Sequence, residues 1–204
     1  MPKPTFFNLP PDKQDNIIQA AMTEFAQNPF KKVTIDNMVN RAGIPKGSFY
    51  QYFDNKDDVY RYIFKTLTEE KKEVLASVYG AMETLDFRDF MVLLCTTGAQ
   101  FDTRSLNQMD LRDRFLHQCN AELRDDILTM MKDQSNALLE VVLTHYVKTG
   151  RLRADLDIPF TAELFTLLII GLTRDIGPQV EDPKALALER IEKLLDLMEQ
   201  GIVE

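Results

Sequence analysis

The sequence predicts an all-α protein. Of its 204 residues, 45% are apolar and 27% are charged, as in an ordinary folded chain. Glycine and proline are sparse, at eight and nine residues. Apolar residues recur every three or four positions, which is the spacing of one helix face, and no stretch alternates as a half-buried strand does. We therefore predict about nine helices.

The first helix is predicted over residues 11–27, where Ile18, Met22 and Phe25 lie on one stripe. The second helix is short and marked at both ends. Thr34 is its expected N-cap, and Gly43 supplies the left-handed residue that commonly ends a helix. Pro45 suits the first turn of a third helix, because its missing N–H is not needed there. Two helices joined by so short a turn predict a helix-turn-helix.

The third helix, at about residues 45–53, carries two interleaved patterns. Phe49 and Phe53 are four residues apart, share one face and are predicted to point into the core. The other faces carry side chains suited to polar contacts: Lys46, Ser48, Tyr50 and Gln51. Tyr52 stays unassigned between a core position and an outside contact.

The remaining helices are predicted to start with a long one that runs from Lys56 nearly to Gly80. Five more follow at about 86–101, 105–119, 121–148, 158–176 and 183–200. The last two have the broadest apolar faces, so they either complete the core or pair with a second copy. We divide the chain into a helix-turn-helix domain, 1–56, with its motif at about 34–53, and a helical domain, 57–204.

Charge is distributed unevenly along the chain, whose net charge is −8. Residues 1–56 hold seven basic and five acidic residues, whereas the remainder holds 17 and 27. Only the first quarter is therefore suited to a phosphate backbone. The longest apolar run, residues 164–172, is too short to span a bilayer, so we expect a cytoplasmic protein with no membrane partner.

Enzyme and metal-site interpretations find little support. The sequence has no glycine-rich phosphate loop, nucleophile elbow or HExxH motif, so no catalytic residue, metal or cofactor is predicted. Cys95, His117, Cys119 and His145 match no common metal spacing, and the two cysteines are expected to be reduced thiols. A helical adaptor that binds only protein stays open as an alternative, although it does not explain Lys46-Gly47-Ser48.

Residues 11–65 resemble a known family. Thr34, Met38, Ala42 and Gly43, with "KGSFYQYF" (46–53) and "NKDDV" (55–59), resemble the N-terminal signature of the tetracycline-repressor (TetR) family of bacterial transcription regulators. Pro45 departs from the serine that many members have there. The resemblance implies a homodimer formed through the last two helices, middle helices that enclose a small-molecule effector, and repression that the effector relieves.

The proposed DNA site follows from helix-turn-helix chemistry, in which the recognition helix enters the major groove. Lys46 is expected at a guanine edge, with a phosphate as the open alternative. Gly47 is expected at a close approach to the groove, and Ser48 at a base or a phosphate. The remaining expected contacts are Thr34 and Lys56 with phosphates and Tyr50 and Tyr52 with the DNA backbone. Gln51 is left open between reading adenine and lying at the groove edge. A dimer would read double-stranded DNA as an inverted-repeat operator.

The effector pocket is expected among apolar residues of the middle helices. Its predicted lining is Phe90, Met91, Leu94, Met109, Phe115, Met131 and Phe165. Methionine and phenylalanine suit an adaptable pocket, although each of these residues is equally ordinary core material. A lipophilic effector is expected, such as a fatty-acyl compound, a drug or an aromatic molecule. Its polar contacts are left open among Arg112, His117, Gln118, Asn136 and His145.

Overall fold

The computed structural model describes residues 1–200, and within them the fold is all-α, as predicted, with no strand. Ten α-helices follow one another: α1 (Pro4–Phe7), α2 (Pro11–Gln27), α3 (Ile35–Ala42), α4 (Lys46–Tyr52), α5 (Lys56–Ala76), α6 (Phe87–Asp102), α7 (Leu106–Gln118), α8 (Ala121–Lys148), α9 (Ile158–Thr173) and α10 (Pro183–Gln200). None of the ten combines the length and apolar character needed to cross a membrane.

The predicted helices are confirmed to within a few residues, with two corrections. Helix α1 was not predicted, because four residues are too few to show a period. Helix α5 ends at Ala76 rather than near Gly80, and a 3₁₀ helix, Tyr79–Glu83, follows it. A second 3₁₀ turn, Phe30–Lys32, lies between α2 and α3.

The chain packs as two compact units. The first consists of Met1–Leu67 and Ser105–Leu128, and the second of Thr68–Arg104 with the described residues from Thr129 onward. This partition by packing differs from the functional division at residue 56, because α7 packs against α2. The functional division stays a prediction.

Aromatic rings fill the core of the first unit. Tyr60 of α5 lies edge-on to Phe25 of α2, with 4.6 Å between the ring centroids, and 5.0 Å from Phe30. Phe64, one turn later, packs 4.4 Å from Phe115 of α7. These contacts fasten the three-helix N-terminal segment to the beginning of α5.

The second unit surrounds a cluster of apolar side chains from α6, α8, α9 and α10. Phe90 and Tyr146 are fully buried in it, and Phe165 is nearly so. The Tyr146 hydroxyl donates to the carbonyl oxygens of Leu85 and Asp86, at 3.0 and 3.1 Å, which satisfies the one polar atom of this buried ring.

A buried carboxylate links α2 to α3. Glu24 is only 3% exposed, and its Oε1 accepts from the side-chain amides of Asn28 and Asn37 at 3.1 and 2.9 Å. Its second oxygen lies 3.5 Å from the Arg41 guanidinium. The sequence does not indicate this network, because a glutamate in an amphipathic helix ordinarily faces water.

We expect Glu24→Ala to lower the free energy of unfolding by about 2 kcal/mol, because it removes the buried acceptor of the Asn28 and Asn37 amides and the ionic partner of Arg41. Glu24→Gln keeps one acceptor oxygen and should cost less. Urea denaturation at matched protein concentration measures both, with Glu73→Ala, at an exposed site of α5, as the control. Equal effects at positions 24 and 73 would contradict a stabilising network.

Candidate nucleic-acid interface

Helices α3 and α4 form the predicted helix-turn-helix. The Thr34 hydroxyl accepts from the Asn37 N–H at 3.2 Å, so Thr34 is the N-cap of α3. Gly43 ends that helix with φ +67°, the left-handed conformation that favours glycine. Pro45 precedes α4 rather than entering its first turn, which corrects the prediction for that residue.

Helix α4 separates its anchors from its exposed residues as the sequence predicted. Phe49 is 2% exposed and Phe53 is fully buried. Lys46, Gly47, Tyr50 and Gln51 are exposed, and Ser48 is half-buried. Tyr52, which the sequence left unassigned, is buried and lies edge-on to Phe6, with 6.2 Å between the ring centroids.

Neither the packing nor the backbone conformation at position 47 requires a glycine. A Cβ atom built at this position would have no neighbour within 4 Å, and the backbone there is ordinary helix. Glycine in a helix costs about 1 kcal/mol relative to alanine. The open space in front of Gly47 therefore suits the close approach of another molecule.

Lys46, the expected base contact, is paired with an acid in the same unit. Its ammonium lies 2.7 Å from the carboxylate of Asp36 at the start of α3, and both side chains are more than half exposed. The hydrogen bond to Asp36 raises the pKa of Lys46, so the lysine stays cationic at physiological pH. This partner for Lys46 was not foreseen from the sequence.

Lys56, the expected phosphate contact, also makes internal bonds. Its ammonium donates to the carbonyl oxygens of Phe30 and Val33, at 2.7 and 3.0 Å, and lies 4.5 Å from the Phe30 ring centroid. An ammonium has three N–H groups, so one remains for another acceptor. Lys56 thus fixes the segment before Thr34, a role that its sequence position did not reveal.

The predicted pocket residues are divided between the two units. Phe90, Met91, Leu94 and Phe165 are buried together in the apolar cluster of the second unit. Phe115 packs in the first unit, and Met109 belongs to the same unit. Met131 is half-buried on α8. The predicted lining therefore draws on residues of both units, and a pocket formed by all seven stays a prediction.

A small cavity in the second unit has polar atoms without partners. Its volume is about 90 Å³, and its lining is Thr129, Lys132, Asp133, Asn136, Glu163, Thr166 and Leu167. Oδ1 of Asn136 and Oγ1 of Thr166 are buried and accept or donate no hydrogen bond within the protein. Of the polar residues left open from the sequence, Asn136 is the one that lines this cavity. A larger cavity of about 430 Å³ in the first unit is mostly polar.

The thiols and imidazoles form no reactive group in the described residues. Burial raises the pKa of the Cys95 thiol to about 12 and that of Cys119 to about 11, so both are protonated at neutral pH. His117 contacts the Asp113 carbonyl at 2.9 Å, and His145 contacts the Met82 carbonyl at 3.2 Å. Within residues 1–200, no group of three or more His, Cys, Asp or Glu side chains is placed to hold a metal ion.

Comparisons with known proteins agree with this geometry. Residues 17–63 match the profile described as "Bacterial regulatory proteins, tetR family". The chain is 36% identical over 169 residues to the uncharacterized HTH-type transcriptional regulator YhgD of Bacillus subtilis, covering 80% of this chain and 84% of the relative.

Two solved structures extend the likeness over nearly the whole chain. A TetR family regulator from Chloroflexus aurantiacus is 30% identical, with 98% of each chain covered and a TM-score of 0.57. The regulator FadR from Bacillus subtilis, solved in complex with stearoyl-CoA, is 22% identical; 93% of this chain and 99% of FadR are covered, with a TM-score of 0.69.

The helix-turn-helix, the exposed face of α4 and these relatives lead to one conclusion. A TetR family regulator covers 98% of this chain, which sets aside the interpretation as a protein-binding adaptor. The chain belongs to the TetR family of bacterial transcriptional regulators and is a DNA-binding protein, not an enzyme.

Proposed function

We propose that the protein is a repressor that reads an inverted-repeat operator as a homodimer and leaves it when a lipophilic effector binds. The observation that carries the DNA part is the two-sided character of α4. Phe49 and Phe53 hold the helix to its unit, whereas Lys46 and Tyr50 project outward beside Gly47. A helix with that exposed face suits the major groove.

In this proposal, different residues contact the DNA bases and the DNA backbone. Lys46, Gly47, Ser48 and Gln51 face the base edges. Thr34 still has its hydroxyl hydrogen to donate to a phosphate at the start of α3, and Lys56 offers its third N–H. Tyr50 reaches the backbone with its phenol. Tyr52 serves mainly as an anchor, because its ring is buried.

Operator selection from random duplexes tests the DNA-binding proposal. We expect an enriched inverted repeat whose affinity falls steeply with salt, because several phosphates are neutralised. Lys46→Ala should lose about tenfold in discrimination between operator and random DNA, since a good base contact contributes about 1–3 kcal/mol. Lys13→Ala, on an exposed site of α2, is the matched control. No enriched sequence, or a salt-independent affinity, would contradict the proposal.

The dimer proposal rests on apolar side chains that α9 and α10 leave in solvent. Phe160, Leu164 and Leu167 are 62%, 39% and 44% exposed and are spaced to share one stripe of α9. Leu197 and Met198 of α10 are 47% and 43% exposed. A regulator with two recognition helices reads two half-sites, and exposed apolar stripes of this size favour burial against a second copy.

We expect the double variant Phe160→Glu and Leu164→Glu to be monomeric in sedimentation equilibrium, because it places charges in the proposed interface. Its operator affinity should fall by at least tenfold, since only one half-site is read at a time. Leu106→Glu is the matched control, because Leu106 is 75% exposed and lies on α7. If the double variant stays dimeric, the dimer interface does not include this stripe of α9.

The effector proposal rests on the second unit. Its apolar cluster contains Phe90, Met91 and Phe165, and methionine and phenylalanine are common in adaptable pockets. In the same unit, Asn136 and Thr166 line a cavity and each has a side-chain oxygen without a hydrogen-bond partner. FadR, which shares this fold, binds stearoyl-CoA. We infer that the effector joins a long apolar chain to a polar group, as an acyl-CoA does.

Stearoyl-CoA in excess over its dissociation constant should raise the melting temperature by about 5 °C, and coenzyme A without the acyl chain should not. The acyl compound should also release the operator in a shift assay, because it favours the state with lower DNA affinity. Stabilisation by small polar molecules alone would contradict a lipophilic effector.

A further inference from the structure

The recognition helix α4 is too short to hold its own C-terminal end. It has seven residues, no side-chain N-cap and a glycine in its first turn. The last four carbonyl groups of a helix have no partner within it, and in a helix of seven residues those groups are more than half of the total. Something outside α4 must therefore satisfy them if the helix is to keep one orientation.

The N-terminal segment supplies the missing donors. The Lys3 N–H donates to the Tyr52 carbonyl at 2.7 Å, and the Lys3 ammonium donates to the Tyr50 carbonyl at 2.8 Å. The Thr5 hydroxyl donates to the carbonyl between them, that of Gln51. Three consecutive carbonyls at the end of α4 are thus capped by two residues from a distant part of the chain.

A buried ring fixes this segment in place. Phe6 is 0% exposed, and its ring lies 5.1 Å from Phe53 and 5.6 Å from Tyr62, measured between centroids. The Lys3 ammonium also lies 2.7 Å from the carboxylate of Asp54, two residues past the end of α4. Residues 3–6 therefore contact the recognition helix through backbone, hydroxyl, ammonium and aromatic groups at once.

We propose that residues 3–6 are a positioning element for DNA reading, an inference that rests on the proposed contact of α4 with the operator. By capping the last turn, they keep the exposed face of α4 at a fixed angle to the rest of the helix-turn-helix. Base recognition needs side chains held to fractions of an ångström, whereas attraction to phosphates needs only charge. Loss of the cap should therefore reduce specificity more than general affinity for DNA.

Thr5→Val tests this proposal with little change of shape, since a methyl group replaces the hydroxyl. The net worth of one hydrogen bond corresponds to about a fivefold loss of operator affinity. Binding to random DNA should not change, because Thr5 carries no charge, and Thr5→Ser should restore operator affinity. Thr149→Val is the matched control, since the Thr149 hydroxyl also donates to a helix carbonyl, that of His145, but lies in the second unit.

Amide hydrogen exchange gives a readout that needs no DNA. The amides of residues 50–53 should exchange about fivefold faster in Thr5→Val than in the wild type or in Thr149→Val. Unchanged exchange together with unchanged operator affinity would overturn the proposal. A wild-type protein that selects no operator would instead refute the proposed function, while the exchange experiment still reports on the cap.

Lys3→Gln separates the cap from a direct phosphate contact. A positioning role predicts weaker operator binding with the same dependence on salt, because no phosphate contact is lost. A slope of log affinity against log salt reduced by about one would assign Lys3 to a phosphate and overturn its part in the cap.

Discussion

The structure of the DNA-reading unit depends on one constraint, which is that its reading helix has seven residues. An isolated helix of that length does not form in water, because the cost of nucleation exceeds the few hydrogen bonds gained. Stability must come from burial of Phe49 and Phe53 on the inner face. It also comes from Lys3 and Thr5, which donate hydrogen bonds to the carbonyl groups at the C-terminal end of the helix. The outer face is therefore not needed to pack against the rest of the unit, which allows a glycine at position 47.

The internal bonds of the basic residues have a related origin. Lys56 donates to the backbone of the 3₁₀ turn before α3, and Lys3 donates to the end of α4. Each ammonium thus fixes a helix end that no local side chain caps. A cation placed in this way organises the reading surface before DNA arrives, so less conformational entropy is lost on binding.

Sequence reasoning succeeded where the signal is local. Thr34, Gly43 and the pair Phe49 and Phe53 act through neighbours within four residues, so cap, turn and inner face follow from the order of the residues. It failed for Phe6 and for the partners of Glu24, whose contacts lie far away along the chain. No local pattern in "PTFF" indicates that it closes a helix more than 40 positions later.

The proposed effector site has no local sequence signal of this kind. Methionines and phenylalanines have the same pattern whether they line a pocket or fill a core, so Phe115 and Phe90 looked alike in sequence although they belong to different units. The physical sign of a binding site is instead an unsatisfied polar atom, which costs free energy when nothing occupies the space beside it. Asn136 and Thr166 carry that sign.

Charge explains why so acidic a protein can bind DNA and still discriminate. The net charge of −8 is concentrated after residue 56, so long-range attraction to the duplex is weak and arises from the first quarter of the chain. Asp36 weakens it further by neutralising Lys46 in the free protein. If Lys46 contacts the operator as proposed, the two N–H groups that Asp36 leaves unused are available to a guanine edge, whereas the Asp36 carboxylate repels a phosphate brought to the same ammonium. On that proposal, Asp36 lowers affinity for random DNA more than affinity for the operator, which is a gain in specificity obtained by repulsion.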